Sequence, residues 1–427
     1  MKIALLTLGC KVNKYESDAL MYNLNLRGFE TTDKLEPADA YVINTCAVTN
    51  EAEKKSRQMI ARCRKLNERA KIFVCGCASQ HDAKQFAEKD VEFVSGVAGK
   101  LKISQMIDDM AKGENNISKK TINLQTLPKE YEDELFAKQN RIRAYIKIQD
   151  GCNNFCSYCI IPYLRGRSRS RGIFSIINEA SKLDDDIKEI VLTGINVTDY
   201  KIDGEPGLLP LMTRLDDLDK RIRLSSMEES IVSEEFIKGL SNLSNFCPHF
   251  HLSLQSGCDD TLKRMNRHYT TNAFKMSVYL IRKYFPNAGI TTDVIVGFPN
   301  ESDEEFEQTY KFIKEIKFSQ LHIFKFSMRE GTVAQKMYKD LPPQTKDERS
   351  DRLEKLNQSL RKKFIKSNKF GKVLIEEKED DFYVGYTENY IRCYIKSDED
   401  IIGQIVEVKI KKLYKDGAIA KQVQHKK

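Results

Sequence analysis

The chain reads as an α/β protein in three parts: a doubly wound N-terminal domain, a partial (β/α) barrel and a small C-terminal antiparallel β-barrel. Three observations predict this. Apolar strand-length runs alternate with helix-patterned segments over residues 1–111 and again over 141–368, the mark of parallel sheets. Residues 112–140 between them are polar and without sustained periodicity, so they read as a linker. After Gly371 the pattern changes to short alternating strands up to residue 427.

In the first domain the strand candidates are 2–8, 40–44, 71–74 and 91–95, with helical patterns at 15–27 and 51–67. The second alternation offers strands at 142–148, 189–193, 222–225, 249–254, 290–296 and 321–326. Six such units suggest an incomplete parallel barrel whose chemistry lies at the C-terminal strand ends. Residues 343–368 form one long charged helix. The last module offers strands at 372–377, 382–386, 390–395 and 405–413.

Charged residues are 31% of the 427, and no apolar run approaches the ~20 residues of a membrane span. The apolar N-terminus lacks a small-residue cleavage site and reads as a strand rather than a secretion signal. A cytoplasmic protein without a membrane partner is expected. Eleven cysteines in such a chain argue for metal or catalytic use over a disulfide framework.

The net charge of +8 permits a polyanionic partner without demanding one. Its distribution says more. Lys54, Lys55, Arg57, Arg62, Arg64, Lys65, Arg69 and Lys71 crowd one segment, and Arg165, Arg167, Arg169 and Arg171 alternate along another. On an extended strand those four arginines would share one face, a stripe able to fork onto phosphates of RNA.

Cys152, Cys156 and Cys159 carry the sharpest chemistry. Three thiolates in eight positions can hold three irons of a cubane cluster and leave the fourth iron open. A structural zinc ion wants four ligands, so the triplet suits zinc poorly. Cys10, Cys46 and Cys77 lie far apart, yet each follows a predicted strand. The carboxyl ends of neighbouring parallel strands border one crevice, so these thiols would form a second three-cysteine site. Cys75 competes with Cys77, whereas Cys63, Cys247, Cys258 and Cys393 read as small buried hydrophobes.

The spacing C-x3-C-x2-C resembles the radical S-adenosylmethionine (SAM) superfamily, as does Tyr158 before the last cysteine. With the second triad, the whole chain resembles the radical SAM methylthiotransferase family. The run Thr-Leu-Gly-Cys-Lys-Val-Asn-Lys-Tyr-Glu-Ser at 7–17 is similar to the branch acting on threonylcarbamoyladenosine in tRNA. The resemblance implies two [4Fe-4S] clusters, held by Cys10, Cys46 and Cys77 and by Cys152, Cys156 and Cys159, with SAM as both methyl and radical source. It implies a SAM pocket walled by Tyr158, Gly194, Asn196, Ser226, Glu228, Ser253, Gln255 and Asp293, with these motifs at or near barrel strand ends. It also implies a C-terminal TRAM-like RNA-binding module, a tRNA anticodon stem-loop as substrate, a flavodoxin- or ferredoxin-like electron donor and a monomer. The run at 324–332 departs from the family, which more often shows prolines and a tyrosine there. Alternatives are the same chemistry on isopentenyladenosine or a ribosomal-protein aspartate, a second cluster that only relays electrons, and a zinc-dependent RNA-binding module. The relay would need a fourth cysteine, at Cys63 or Cys75.

Overall fold

In the computed structural model, residues 1–113, 121–124, 126–132, 142–337 and 340–423 are described. The first sheet contains β1 (Lys2–Thr7), β2 (Glu30–Thr32), β3 (Ala40–Thr45), β4 (Lys71–Gly76), β5 (Phe93–Ser95) and β6 (Thr121–Asn123), all parallel, in the order β2-β1-β3-β4-β5-β6. The outer strands β2 and β6 escape the sequence pattern because three residues carry too little periodicity. β6 lies in the segment read as a linker, so the first sheet continues past residue 111. Residues 114–120, 125 and 133–141 of that segment lie outside the described residues.

Both sheet faces are covered, as a parallel sheet requires. Helix α1 (Lys11–Leu26) sends Leu20 and Leu24 onto Ile3, Leu5, Val42 and Phe73. Helix α2 (Asn50–Leu66) covers the other face, where Ile60 meets Tyr41, Ile43, Ile72 and Val74. Thr49 caps α2 by accepting from the Ala52 N–H, with Glu51 and Glu53 in the first turn and Arg64 and Lys65 in the last.

The barrel strands are Arg143–Lys147, Glu189–Thr193, Arg221–Leu224 continuing as Ser226–Met227, His249–Leu252, Gly289–Val296 and Gln320–Lys325. They pair in parallel and in chain order, and no pairing among the described residues joins the first to the last. Ile146, Ile190 and Leu192 enter the core beneath the outer helices, so alternation turns Arg143, Tyr145, Lys147 and Glu189 inward. Helix α1 lies against this open side, with Tyr15 and Ala19 on Tyr145. The helix Pro343–Ser367 runs from the barrel to the last module.

That module is a closed five-stranded barrel. Its fifth strand, Gly417–Gln422, was not expected, and it pairs in parallel with Arg392–Ile395, so the module is not wholly antiparallel. It seals the N-terminal end of the larger barrel. Arg143 Nη2 donates to Glu376 at 2.5 Å, Arg223 Nη1 to the Glu388 carbonyl at 2.8 Å, and the His249 ring stacks on Tyr390 at 4.5 Å. The opposite, C-terminal end stays available to the cysteine loop.

Candidate active site

Cys152, Cys156 and Cys159 occupy the loop after the first barrel strand. The loop turns at Gly151, whose φ is +73° and where a Cβ would stand 2.0 Å from the Arg167 carbonyl oxygen. Asp150 accepts the Gly151 N–H at 2.8 Å, the Cys152 N–H donates to the Gly166 carbonyl at 3.1 Å, and the Cys159 N–H donates to the Cys156 carbonyl at 2.9 Å. The Asn266 amide donates to the carbonyls of Asn154 and Phe155, both at 3.1 Å. A residue absent from every motif completes this site: Arg267 donates to Cys156 Sγ at 3.2 Å and to Glu228 Oε2 at 2.6 Å.

Of the expected SAM-pocket residues, Glu228 and Ser253 meet this loop through Arg267, and Gly194 and Asn196 through Gln149. Glu228 reaches Cys156 through Arg267, and the carbonyl of Ser253 accepts from Arg267 and from the Tyr269 hydroxyl. The Asn196 N–H donates to Gln149 Oε1 at 2.8 Å, and Gly194 lies against the same side chain. Tyr158 packs edge-on against Phe298, while Ser226 begins the strand Ser226–Met227. Gln255 sits at φ +64°, its N–H donating to the Asp293 carbonyl. Asp293 itself lies within the strand Gly289–Val296, not at its end, and pairs with His251 Nε2 at 3.3 Å inside the barrel.

The second triad sits at the carboxyl edge of the first sheet. Cys10 caps α1 after β1, Cys46 follows β3 directly, and Cys77 opens the short helix α3 (Cys77–His81) after β4. A Cβ on Gly9, where φ is +102°, would lie 2.7 Å from Cys46 Sγ, so the first two loops touch. Asn13 ties them together, its amide donating to the carbonyls of Leu8 and Thr45 at 2.8 and 3.0 Å. Cys10 is exposed, whereas Cys46 and Cys77 are buried, so the triad opens on the Cys10 side. Cys75 turns to the other sheet face among Ile3, Leu5, Val42 and Phe73. Cys63 belongs to the opposite sheet edge, where Asn67 bonds both the Cys63 and Ala38 segments. Neither supplies a fourth ligand.

The arginine stripe does not form. Arg165 ends a short helix, Ile161–Arg165, and only Arg169–Ser170 is extended. Arg165 and Arg171 are 0% and 1% exposed, Arg169 is also buried, and Arg167 alone faces solvent, over the Phe155 ring. Arg171 pairs with Glu179 and Tyr15, which fastens the barrel to α1. Arg165 contacts Asn13, Glu16, Asp150 and Cys77. Charge alternation in sequence therefore marked buried ion pairs here: Arg165 meets Glu16 of the facing domain, whereas Arg169 pairs with Asp150 and Arg171 with Glu179 inside the barrel domain.

Both triads suit a cationic iron cluster. Burial, with Cys77 and Cys10 adding like charge, pushes the Cys46 thiol up to about 12. Burial likewise pushes Cys152 to about 11 and Cys159 to about 12, with Cys156 adding to each. Such thiols would hold protons at neutral pH until a metal displaces them. Three soft donors with no fourth protein ligand among the described residues match the open-iron arrangement at each site.

Lys11, beside Cys10, has no hydrogen-bond or ion-pair partner among the described residues. Water reaches it, yet surrounding protein and then the Arg143 and Arg223 cations draw its ammonium down to about 8.

Three segments match known families: residues 2–98 the "Uncharacterized protein family UPF0004", residues 146–313 the "Radical SAM superfamily" and residues 371–423 the "TRAM domain". The chain is 40% identical to the threonylcarbamoyladenosine tRNA methylthiotransferase MtaB of Bacillus subtilis, over 99% of this chain and 97% of the relative. It belongs to the radical SAM methylthiotransferase family. Another family relative, the tRNA-2-methylthio-N(6)-dimethylallyladenosine synthase of Dictyoglomus thermophilum, is 34% identical over 96% of each chain. Among solved structures, the radical SAM methyltransferase TsrM from Kitasatospora setae, with cobalamin and a [4Fe-4S] cluster bound, covers 76% of this chain and 74% of its own at a TM-score of 0.53. At 14% identity that likeness concerns the fold alone. No helix among the described residues of this methylthiotransferase is long and apolar enough to cross a membrane.

Proposed function

We propose that the protein inserts a methylthio group at carbon 2 of threonylcarbamoyladenosine next to the anticodon in tRNA, in the cytoplasm. The observation that carries this reading is the pair of three-cysteine sites, each without a fourth ligand among the described residues, on two domains joined through Arg165. The full-length likeness to enzymes of that name supports it. When bound, the clusters and SAM would supply an electron, a carbon radical and sulfur, chemistry suited to an unactivated aromatic C–H. Cys152, Cys156 and Cys159 would hold the cluster that receives its electron from a flavodoxin- or ferredoxin-like donor. Cys10, Cys46 and Cys77 would hold the other. Asn196, Glu228 and Ser253 would orient SAM at the strand ends.

Lys11 favours the threonylcarbamoyl base over an isopentenyl one. Its ammonium, without a partner among the described residues, stands one residue from Cys10 and faces the barrel, where it would meet the threonyl carboxylate. Exposed Lys366, Lys369, Phe370, Lys409 and Lys411, where the long helix enters the C-terminal barrel, would follow the backbone of the anticodon stem-loop, and an unpaired loop base needs little unstacking. A relay role for the second cluster has no support, since Cys63 and Cys75 lie elsewhere. Mass spectrometry of nucleosides, after anaerobic reaction of the reconstituted protein with SAM and tRNA, tests the reading. The 2-methylthio derivative of threonylcarbamoyladenosine is expected. Conversion of isopentenyladenosine alone would overturn the assigned base.

A further inference from the structure

Arg165 crosses from the barrel domain into the second triad. Its guanidinium is fully buried and nearly every donor is engaged. Nε donates to Cys77 Sγ at 3.3 Å, Nη2 to Asn13 Oδ1 at 2.7 Å and to Glu16 Oε2 at 3.1 Å, and Nη1 to Glu16 Oε1 at 2.9 Å and Asp150 Oδ1 at 3.0 Å. The bonds to Asn13 and the two carboxylates leave the guanidinium no freedom to turn away from the sulfur.

The charge around it is unbalanced. Lys100, Lys147, Arg165 and Arg169 share the carboxylates of Glu16 and Asp150. Glu132 adds one more carboxylate at the exposed rim, and a positive excess still remains among the described residues. Buried charge is costly unless matched. The excess faces Cys77, where thiolate ligands of a cluster would bring negative charge.

We propose that Arg165 is a positioning residue for the cluster site of the other domain: its guanidinium fixes the Cys77 sulfur and raises the reduction potential of the cluster held there, so that this site is complete only when the two domains are docked. The inference rests on the reading of Cys10, Cys46 and Cys77 as cluster ligands. A cation and a hydrogen-bond donor at a ligand sulfur stabilise the more negative, reduced state, so their removal lowers the potential.

The test uses the full chain with Cys152, Cys156 and Cys159 replaced by Ala, so that one site alone binds iron. Iron content and an EPR-monitored redox titration are then compared in this background, in Arg165→Gln and in Arg165→Lys. All three should hold roughly four irons per chain, as one cubane requires. Arg165→Gln should disfavour reduction at least tenfold, a midpoint drop of ~59 mV for one electron. Arg165→Lys should shift it less, because the cation stays while the fixed Nε–H is lost. Full iron with a reduction equilibrium changed less than twofold in Arg165→Gln would overturn the proposal. Should that variant not fold, Arg165→Lys decides, and a potential equal to the background's would overturn it. A background without iron would remove the ligand reading instead, and the proposal with it.

Discussion

The two cysteine triads reach similar chemistry by opposite routes. Cys152, Cys156 and Cys159 come from one loop whose shape is set locally, by Gly151, by the Asp150 carboxylate and by the Cys159–Cys156 turn. Cys10, Cys46 and Cys77 come from the ends of β1, β3 and β4 and meet only because that sheet is parallel and in register. A contiguous site is folded by its own segment, whereas a dispersed one inherits the stability of a domain. Each nonetheless carries one arginine on a ligand-candidate sulfur, Arg267 on Cys156 and Arg165 on Cys77. The first comes from the same domain and the second from across the contact.

The largest effect should come from the contiguous site. Cys152→Ala should abolish reductive SAM cleavage and lower iron from roughly eight to roughly four per chain, measured by 5′-deoxyadenosine release and iron assay. Cleavage persisting at the parent rate would dissolve the division of labour between the triads. At the dispersed site, Cys46→Ala should leave SAM cleavage near the parent rate and stop sulfur insertion. Methylthiolated tRNA nucleoside from that variant would show that Cys46 is dispensable.

The contrast also explains what was legible in the sequence. The loop triad was visible as a spacing, and the dispersed triad followed from placing cysteines at strand ends, since the three strands that deliver them, β1, β3 and β4, are each long enough to show a pattern. Arg267 was not legible, because nothing near it in sequence points to a site 111 residues away. Asn13 stood in view inside the Gly-Cys-Lys-Val-Asn run, but its amide bonds to Leu8 and Thr45 belong to tertiary structure. The arginines at 165–171 misled for a physical reason: period two gives a face only if the backbone is extended, and Pro162 opens a helical turn there. The last module read as separable, yet Arg223 and Arg143 bury their charges between Glu189 and that module. Deleting 371–427 would therefore uncover charges as well as remove the proposed RNA contact.

Acid should weaken the buried carboxylate contacts between domains. Burial would raise the Glu189 carboxyl, but Arg223 and Arg143 outweigh it and bring it to about 2. Glu16 is likewise held well below the usual carboxylate range, burial being overcome by Arg165, Lys100 and Lys147. A depressed carboxyl contributes stability above its unfolded value and loses it as pH falls towards the folded one. Denaturant unfolding should thus be flat near neutrality and weaken from about pH 4.5 towards 2, with Glu189 accounting for on the order of 3 kcal/mol. A profile unchanged by Glu189→Gln would discount this pair.

The smallest effect, and the one that bears most on substrate choice, concerns Lys11. The dispersed triad opens on the Cys10 side, so a side chain next to Cys10 is placed to meet whatever approaches the sulfur. A charge-assisted hydrogen bond contributes roughly 1.5–3 kcal/mol, which corresponds to about a 10- to 100-fold change in binding. Lys11→Met should therefore raise KM for tRNA bearing threonylcarbamoyladenosine by at least ~10-fold, while iron content and SAM cleavage stay at parent values. A general loss of RNA affinity would weaken binding of every tRNA alike. Competition with the same tRNA lacking the threonylcarbamoyl group distinguishes the two cases, because only the carboxylate-bearing form should lose affinity. Equal loss for both would assign Lys11 to the phosphate backbone and leave the choice of base to the barrel.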